Sequence, residues 1–185
     1  MSDFQDIHWR SGDGLELYAR DYRAEGTATP VVCLHGLTRN SRDFEALAPR
    51  IQALGRRVLV PELRGRGRSD YDPDPQRYLP PVYADDIRRL CDDQGVARLI
   101  AIGTSLGGLV TMILATMAPE RLAGAVLNDI GPVIDEAGLK RIRSYVGKSR
   151  TFDNWEAAAA AVRNVNAAIY PEFDDADWLT VESAN

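Results

Sequence analysis

The sequence has 185 residues, enough for one domain of ordinary size, and its apolar fraction of 45% and charged fraction of 26% are those of a globular protein. Acidic residues outnumber basic ones, 27 to 22, and the net charge of −5 argues against a surface that binds nucleic acid or an anionic membrane. No apolar run approaches the roughly 20 residues of a membrane helix, and the acidic N-terminus is unlike a secretory signal. We therefore expect a cytoplasmic protein that binds neither nucleic acid nor membrane, in which Cys33 and Cys91 are reduced, buried thiols.

The N-terminal segment predicts an antiparallel hairpin. Residues 4–10 and 15–20 flank a turn cluster at 11–14, and the second segment alternates apolar with polar residues. The segment 41–54 then carries apolar side chains at helical spacing, and Ser41 is its predicted N-cap.

Short, continuously apolar runs alternate with amphipathic segments over about a hundred residues. Such runs are typical of strands buried on both faces of a parallel sheet, and they occupy 31–34, 58–60, 99–102 and 125–127. Further helices are predicted at 82–94, where Gly95 closes the helix, and at 106–117. This order predicts an α/β fold, with a mostly parallel sheet, a hairpin leading into it and helices on both faces.

After Asn128 the pattern becomes helical. The segments with helical tendency are 138–146, 155–168 and 174–181. We divide the chain at this change, into residues 1–134 and 135–185. Because the sequence stops at Asn185 within helical-looking sequence, we expect a fragment of a longer protein. The alternative is a complete protein that uses the fold without the chemistry.

The strongest chemical signal is Gly103-Thr104-Ser105-Leu106-Gly107-Gly108, between a predicted buried strand and a predicted helix. A nucleophilic serine on a tight strand-to-helix turn needs small residues two positions before and after it, because a Cβ there would strike the neighbouring chain. The Leu106 amide begins the helix and is predicted to point to where an oxyanion would form. The alternative is a glycine-rich turn whose serine only caps the helix.

A second signal, His35-Gly36-Leu37, follows the strand at 31–34. A glycine at this position lets the backbone leave the sheet and brings the Leu37 amide towards the serine, as the second candidate oxyanion donor. For His35, which ends a buried strand, we favour a loop-fixing hydrogen-bonding role over that of general base.

A third signal is the arginine-rich loop at 61–70. Its glycine spacing matches neither nucleotide-binding fingerprint, and no helix follows it directly. We interpret it as a loop ordered by arginine–carboxylate and backbone hydrogen bonds.

Together these three motifs, in this order, closely resemble the α/β-hydrolase superfamily, and within it the bacterial group of carboxylesterases, cofactor-free haloperoxidases and carbon–carbon-bond hydrolases. The resemblance extends from about residue 7 to residue 131. It implies the α/β-hydrolase fold, Ser105 as nucleophile, the amides of Leu37 and Leu106 as oxyanion hole, and a helical lid beginning in 135–185. The implied reaction is hydrolysis of a small ester or related carbonyl compound, with no metal or organic cofactor.

The sequence departs from the family at the triad histidine. The family order is serine, acid, histidine, yet no histidine follows Ser105. His8 lies in the first predicted strand and is expected at an edge or on the surface. We therefore expect these 185 residues alone to be nearly inactive, because loss of a triad histidine costs about a millionfold in turnover.

The sequence leaves more than one interpretation for Asp129, for a group of aromatic residues and for the overall function. Asp129 follows the fourth strand, where some family members place the triad acid; its alternative is to cap the turn at Gly131-Pro132. Four aromatic side chains either line an acyl pocket or pack lid helices together: Trp155, Tyr170, Phe173 and Trp178. The alternatives to a serine hydrolase are a cofactor-free haloperoxidase or perhydrolase on the same site, and a binding protein with a degenerate site.

Overall fold

A computed structural model describes residues 4–131, 133, 135–145, 152–167 and 170–183. The chain divides into two compact units, residues 1–133 with the sheet and residues 134–185 with helices. Four positions used in the sequence predictions lie outside the described residues, namely Pro132, residue 134 at the predicted division, and the predicted helix ends Val146 and Ala168.

Six strands of the described chain form one sheet. Their bounds are β1 (Gln5–Arg10), β2 (Glu16–Tyr22), β3 (Val31–Leu34), β4 (Val58–Pro61), β5 (Leu99–Thr104) and β6 (Leu122–Asn128). Across the sheet they lie in the order β1-β2-β4-β3-β5-β6. β1 pairs antiparallel with β2, and β2 antiparallel with β4, whereas the pairs β4–β3, β3–β5 and β5–β6 are parallel. The predicted hairpin and mostly parallel sheet are therefore confirmed.

The helices of the first unit are α1 (Ala48–Gln52), α2 (Pro80–Asp93) and α3 (Leu106–Met117). Those of the second unit are α4 (Glu136–Tyr145), α5 (Trp155–Asn166) and α6 (Asp175–Ser183). α2 starts two residues before its predicted start, at Pro80, where a missing N–H costs no helical hydrogen bond. Gly95 ends it as predicted, with φ +65° and the next N–H, of Val96, donating to the Cys91 carbonyl at 2.8 Å. Among the described helices, none is both long and apolar enough to cross a bilayer.

The single helix predicted over 41–54 is wrong. A 3₁₀ helix at Ser41–Phe44 is followed by the separate, short α1. Pro49 explains the division, because proline has no N–H to donate and its ring clashes with the carbonyl one turn earlier. The N-cap prediction is also wrong: the side chain of Asn40, not that of Ser41, caps the 3₁₀ helix.

Helices cover both faces of the sheet, as predicted. Alternate residues of β3 face opposite sides: Val32 and Leu34 belong to a core cluster with α2 and α3, whereas Val31 and Cys33 pack in a second cluster with the start of α1. Both cysteines are buried and free. Burial raises the pKa of Cys33 to about 12 and that of Cys91 to about 11, so both thiols stay protonated.

The prediction that the strand at 125–127 is buried on both faces is wrong. β6 is exposed along most of its length, with 53% of Val126 and 43% of Leu127 accessible to solvent. The reason is its place in the sheet: within the described chain it pairs with β5 alone and forms one edge.

Candidate active site

Ser105 lies on the turn that connects β5 to α3. Its backbone has φ 50° and ψ −111°, in a region that residues other than glycine rarely adopt. The strand and the helix hold this conformation, because the Ser105 N–H donates to the Asn128 carbonyl at 2.9 Å and its carbonyl accepts from the Leu109 N–H at 3.1 Å. A strained residue fixed in this way at the carboxyl end of a sheet is typical of a functional site.

The flanking glycines are required by close backbone approach. A Cβ on Gly103 would lie 2.4 Å from the Gly107 carbonyl oxygen, and one on Gly107 would lie 2.1 Å from the Leu34 carbonyl oxygen. Both distances are far inside van der Waals contact, so the predicted need for small residues around Ser105 is confirmed. Ser105 holds the N-cap position of α3, but its partly exposed side chain makes no capping hydrogen bond within the described chain.

The loop after β3 lies beside this turn. Leu34 is paired in parallel register with Gly103, which brings the two strand ends together. A Cβ on Gly36 would lie 4.0 Å from the Cβ of Ser105, so the glycine backbone packs directly against the serine. The sheet therefore brings His35-Gly36-Leu37 alongside Ser105.

His35 is fully buried and uses both of its ring nitrogens. Its Nε2 accepts from the Leu63 N–H at 3.1 Å, which leaves the proton on Nδ1, and Nδ1–H donates to the Gly36 carbonyl at 2.7 Å. Burial lowers the pKa of His35, so the ring is neutral at physiological pH. The histidine fixes the loop, as predicted, and has no free nitrogen with which to act as a base.

The same hydrogen bonds set the direction of the Leu37 N–H. In a trans peptide the carbonyl and the following N–H point in opposite directions, and the described chain contains no cis peptide. The Gly36 carbonyl accepts from His35 and, at 3.3 Å, from the Arg39 N–H, and these contacts hold the peptide that carries the Leu37 N–H. Within the described chain, neither the Leu37 N–H nor the Leu106 N–H donates to another protein group.

The arginine-rich loop at 61–70 is ordered as predicted. The buried Arg64 guanidinium forms salt bridges with Asp13, Asp72 and Asp86 at 2.8, 2.5 and 2.8 Å. Burial raises the pKa of Asp86 and outweighs the opposing effect of its hydrogen bond with Arg64. The cluster joins the β1–β2 turn, the loop and α2.

The contact of this loop with Leu37 was not predicted from the sequence. Arg66 Nε donates to the Leu37 carbonyl at 3.1 Å and so reaches the loop beside Ser105. The two residues are 29 positions apart, and the sequence carries no local signal that pairs them.

The two remaining polar candidates lie elsewhere. His8 is exposed on β1, four strand spacings from β5, or roughly 19 Å at ~4.8 Å per spacing, which is too far for proton transfer from Ser105. Asp129 is exposed immediately after β6 and, with φ 53°, is the other non-glycine residue of positive φ in the described chain. Its role as triad acid stays a prediction. Among the described residues, no group of three or more His, Cys, Asp or Glu side chains is placed to hold a metal ion.

Three of the four aromatic candidates pack against one another in the second unit. The ring of Phe173 lies 4.9 Å from that of Tyr170 and 5.0 Å from that of Trp178, centroid to centroid. Trp178 is buried, whereas 61% of Trp155 is exposed. The contacts of these three rings are those of helix-packing residues, and a pocket-lining role stays a prediction.

Comparison with known proteins gives one consistent group. The family described as alpha/beta hydrolase fold matches residues 29–174. The 3-hydroxybutyrate-oligomer hydrolase of Cupriavidus necator is 35% identical over 138 residues, which are 75% of this chain and 47% of that protein. Lipase LipV of Mycobacterium tuberculosis is 27% identical over 88% of this chain and 60% of its own length.

A solved structure covers the whole chain. The crystal structure of an alpha/beta hydrolase from Novosphingobium aromaticivorans is 48% identical, with a TM-score of 0.94 over 100% of this chain and 64% of that one. The chain thus spans about half to two thirds of the length of these relatives.

Proposed function

The chain belongs to the α/β-hydrolase fold family, and on that premise we propose that it carries the nucleophile and oxyanion hole of a serine hydrolase that cleaves a small ester or related carbonyl compound. The observation that carries the proposal is the backbone of Ser105, which is held at φ 50° between β5 and α3. Its side chain is partly exposed and makes no capping hydrogen bond to α3 within the described chain. In this fold such a turn presents the serine to substrate at the end of the sheet.

The proposed reaction is acyl transfer to water. Ser105 Oγ attacks the carbonyl carbon, and its proton passes to a histidine outside these 185 residues. The carbonyl oxygen becomes an oxyanion that accepts hydrogen bonds from the amides of Leu37 and Leu106; one such donor is worth about 3–4 kcal/mol in the transition state. When the intermediate collapses, the leaving oxygen takes the proton from the histidine and departs as the alcohol, and the acyl group stays on Ser105. Water, deprotonated by the same histidine, then attacks the acyl group, and the carboxylic acid leaves as the proton returns to Ser105 Oγ.

The names of the relatives support an ester as substrate. One is named for hydrolysing 3-hydroxybutyrate oligomers, whose hydroxy-acid units are joined by ester bonds, and another is named a lipase. We assign the helical segment 135–185 as the beginning of a lid that selects the acyl group. Neither a metal nor an organic cofactor is needed for the proposed chemistry.

A fluorophosphonate probe tests the proposal on the full-length protein. We expect stoichiometric labelling of the wild type and none of Ser105→Ala. Thr116→Ala, at an exposed position near the end of α3, is the control that removes a hydroxyl outside the proposed site and lid, and it should be labelled like the wild type. Labelling that persists in Ser105→Ala would overturn the proposal, and a wild type that is folded but never labelled would favour a binding protein.

A further inference from the structure

We propose that Arg66 is a positioning residue for the oxyanion hole, because its guanidinium holds the Leu37 carbonyl and thereby fixes the Leu37 backbone whose N–H would meet the substrate oxygen. This inference rests on the proposed roles of Ser105 and Leu37. It adds a third component to the site, supplied by the arginine-rich loop.

The Arg66 guanidinium joins three parts of the first unit. Nε donates to the Leu37 carbonyl at 3.1 Å, and Nη1 donates to the Arg64 carbonyl at 2.8 Å and to the Tyr83 hydroxyl at 3.3 Å. The guanidinium carbon also lies 5.7 and 5.4 Å from the ring centroids of Tyr78 and Tyr83, within the range of cation–π attraction. Contacts on several sides fix the orientation of this half-buried group.

The support behind Arg66 is rigid. Arg64, whose carbonyl accepts from Arg66, is held by three carboxylate partners, of which Asp72 and Asp86 are buried. Tyr83 is a buried residue of α2 and belongs to the main core cluster. The Leu37 loop is therefore tied through Arg66 to the core and not to a mobile surface group.

Leu37 lies between two peptide groups that are both held. His35 and the Arg39 N–H fix the carbonyl before Leu37, and Arg66 fixes the carbonyl after it. Because peptide groups are planar, the first plane sets the direction of the Leu37 N–H, and holding both planes fixes φ and ψ of Leu37 and hence the position of its backbone. Both planes pivot on the Leu37 Cα, so loss of Arg66 removes one of the two sides from which the loop is held and allows the Leu37 backbone, with its N–H, to shift.

Arg66→Lys is the variant that separates geometry from charge. Lysine keeps the positive charge but has no planar fork with which to reach the Leu37 carbonyl, the Arg64 carbonyl and Tyr83 together. Loss of a whole oxyanion donor costs about 10²–10³ in kcat, and displacement of one costs less, so we expect kcat for ester hydrolysis to fall about 10–100-fold. KM should stay within about twofold, because the donor acts mainly in the transition state.

A boronic acid inhibitor, whose boron becomes tetrahedral when the serine oxygen adds to it, supplies a second readout on the full-length protein. Its affinity should fall in parallel with kcat, which a merely structural role of Arg66 would not require. Tyr83→Phe removes one acceptor of the guanidinium and leaves the contact with Leu37, so it should lower kcat by only a few fold. If Arg66→Lys does not fold, the decrease in kcat and in boronate affinity of Tyr83→Phe tests the inference.

Arg68→Lys is the matched control in the same loop. The Arg68 guanidinium lies 4.1 Å from the ring centroid of Tyr18 and 2.9 Å from the Asp6 carboxylate, on the side of the hairpin, so its replacement should leave kcat, KM and boronate affinity unchanged. Wild-type kcat in both Arg66→Lys and Tyr83→Phe, with Ser105→Ala inactive, would overturn the inference and leave the proposed function standing. Full activity in Ser105→Ala would overturn both.

Discussion

At Ser105 and Asp129 the backbone adopts positive φ, and these are the non-glycine residues of the described chain that do so. They end neighbouring parallel strands, β5 and β6. Their environments differ, because Ser105 is held by hydrogen bonds to Asn128 and Leu109, whereas Asp129 is exposed. The strained backbone at Ser105 carries a hydroxyl that is held in place, whereas Asp129 has positive φ at an exposed position.

Substitution of Asp129 distinguishes a turn residue from a triad acid. Asparagine tolerates positive φ as aspartate does, so Asp129→Asn should leave the free energy of unfolding and kcat of the full-length protein unchanged, whereas Asp129→Val should cost about 1–2 kcal/mol of stability. Urea unfolding and ester hydrolysis measure the two effects. A loss of about 10⁴-fold in kcat in a stable Asp129→Asn protein would instead identify Asp129 as the acid.

His35 predicts a pH dependence of stability. Because its pKa is lower in the folded protein than the ordinary 6.5, the unfolded chain binds the proton first as the pH falls. The free energy of unfolding should therefore decline below about pH 6.5, by at most ~1.4 kcal/mol per pH unit for this one group. Urea titrations from pH 7.5 to 5.5 should show a steeper decline for the wild type than for His35→Gln; equal slopes would contradict the buried neutral ring.

At the scale of elements, the Arg64 cluster joins the β1–β2 turn, the loop at 61–70 and α2. A buried guanidinium with three carboxylate partners is costly to disrupt, because its removal leaves buried negative charges without a partner. The loop that holds Arg66 beside Leu37 depends on this cluster.

Arg64→Met should destabilise the protein by about 3–5 kcal/mol, measured as the free energy of unfolding in urea. Arg88→Met is the matched control: Arg88 pairs with Asp85 and Asp92 on the partly exposed side of α2, where each such pair contributes about 0.3–0.5 kcal/mol. An Arg64→Met protein as stable as Arg88→Met would show that the buried cluster does not order the loop.

Sequence patterns predict elements of this chain where local chemistry decides them. The hairpin, the parallel strands, the C-terminal end of α2 and the turn at Ser105 all follow from apolar periodicity and the positions of glycine. The prediction of one helix at 41–54 is wrong, because Pro49 interrupts the helix although the apolar residues around it have helical spacing. The contact of Arg66 with Leu37 could not be predicted, because it depends on how two distant loops pack.

Over the described chain as a whole, β6 forms an exposed edge of the sheet. Val126 and Leu127 are apolar and accessible on a strand with an unpaired edge in the described chain. Such an edge favours pairing with another chain.

We expect the 185-residue chain, expressed alone, to self-associate through β6. Val126→Lys places a charge on the exposed strand and should shift the sedimentation profile towards monomer. Leu54→Lys, at an exposed apolar position between α1 and β4, is the matched control and should leave association unchanged. A wild-type chain that stays monomeric at high concentration would contradict this expectation.

In the proposed mechanism, Ser105 carries the acyl group during turnover. The most direct measurement is peptide mass mapping of the full-length protein, quenched in acid while it hydrolyses a p-nitrophenyl ester. We expect one acyl group on the peptide that contains Ser105, and none in Ser105→Ala. Acyl transfer to a different residue, or rapid turnover without any acylated peptide, would contradict this mechanism.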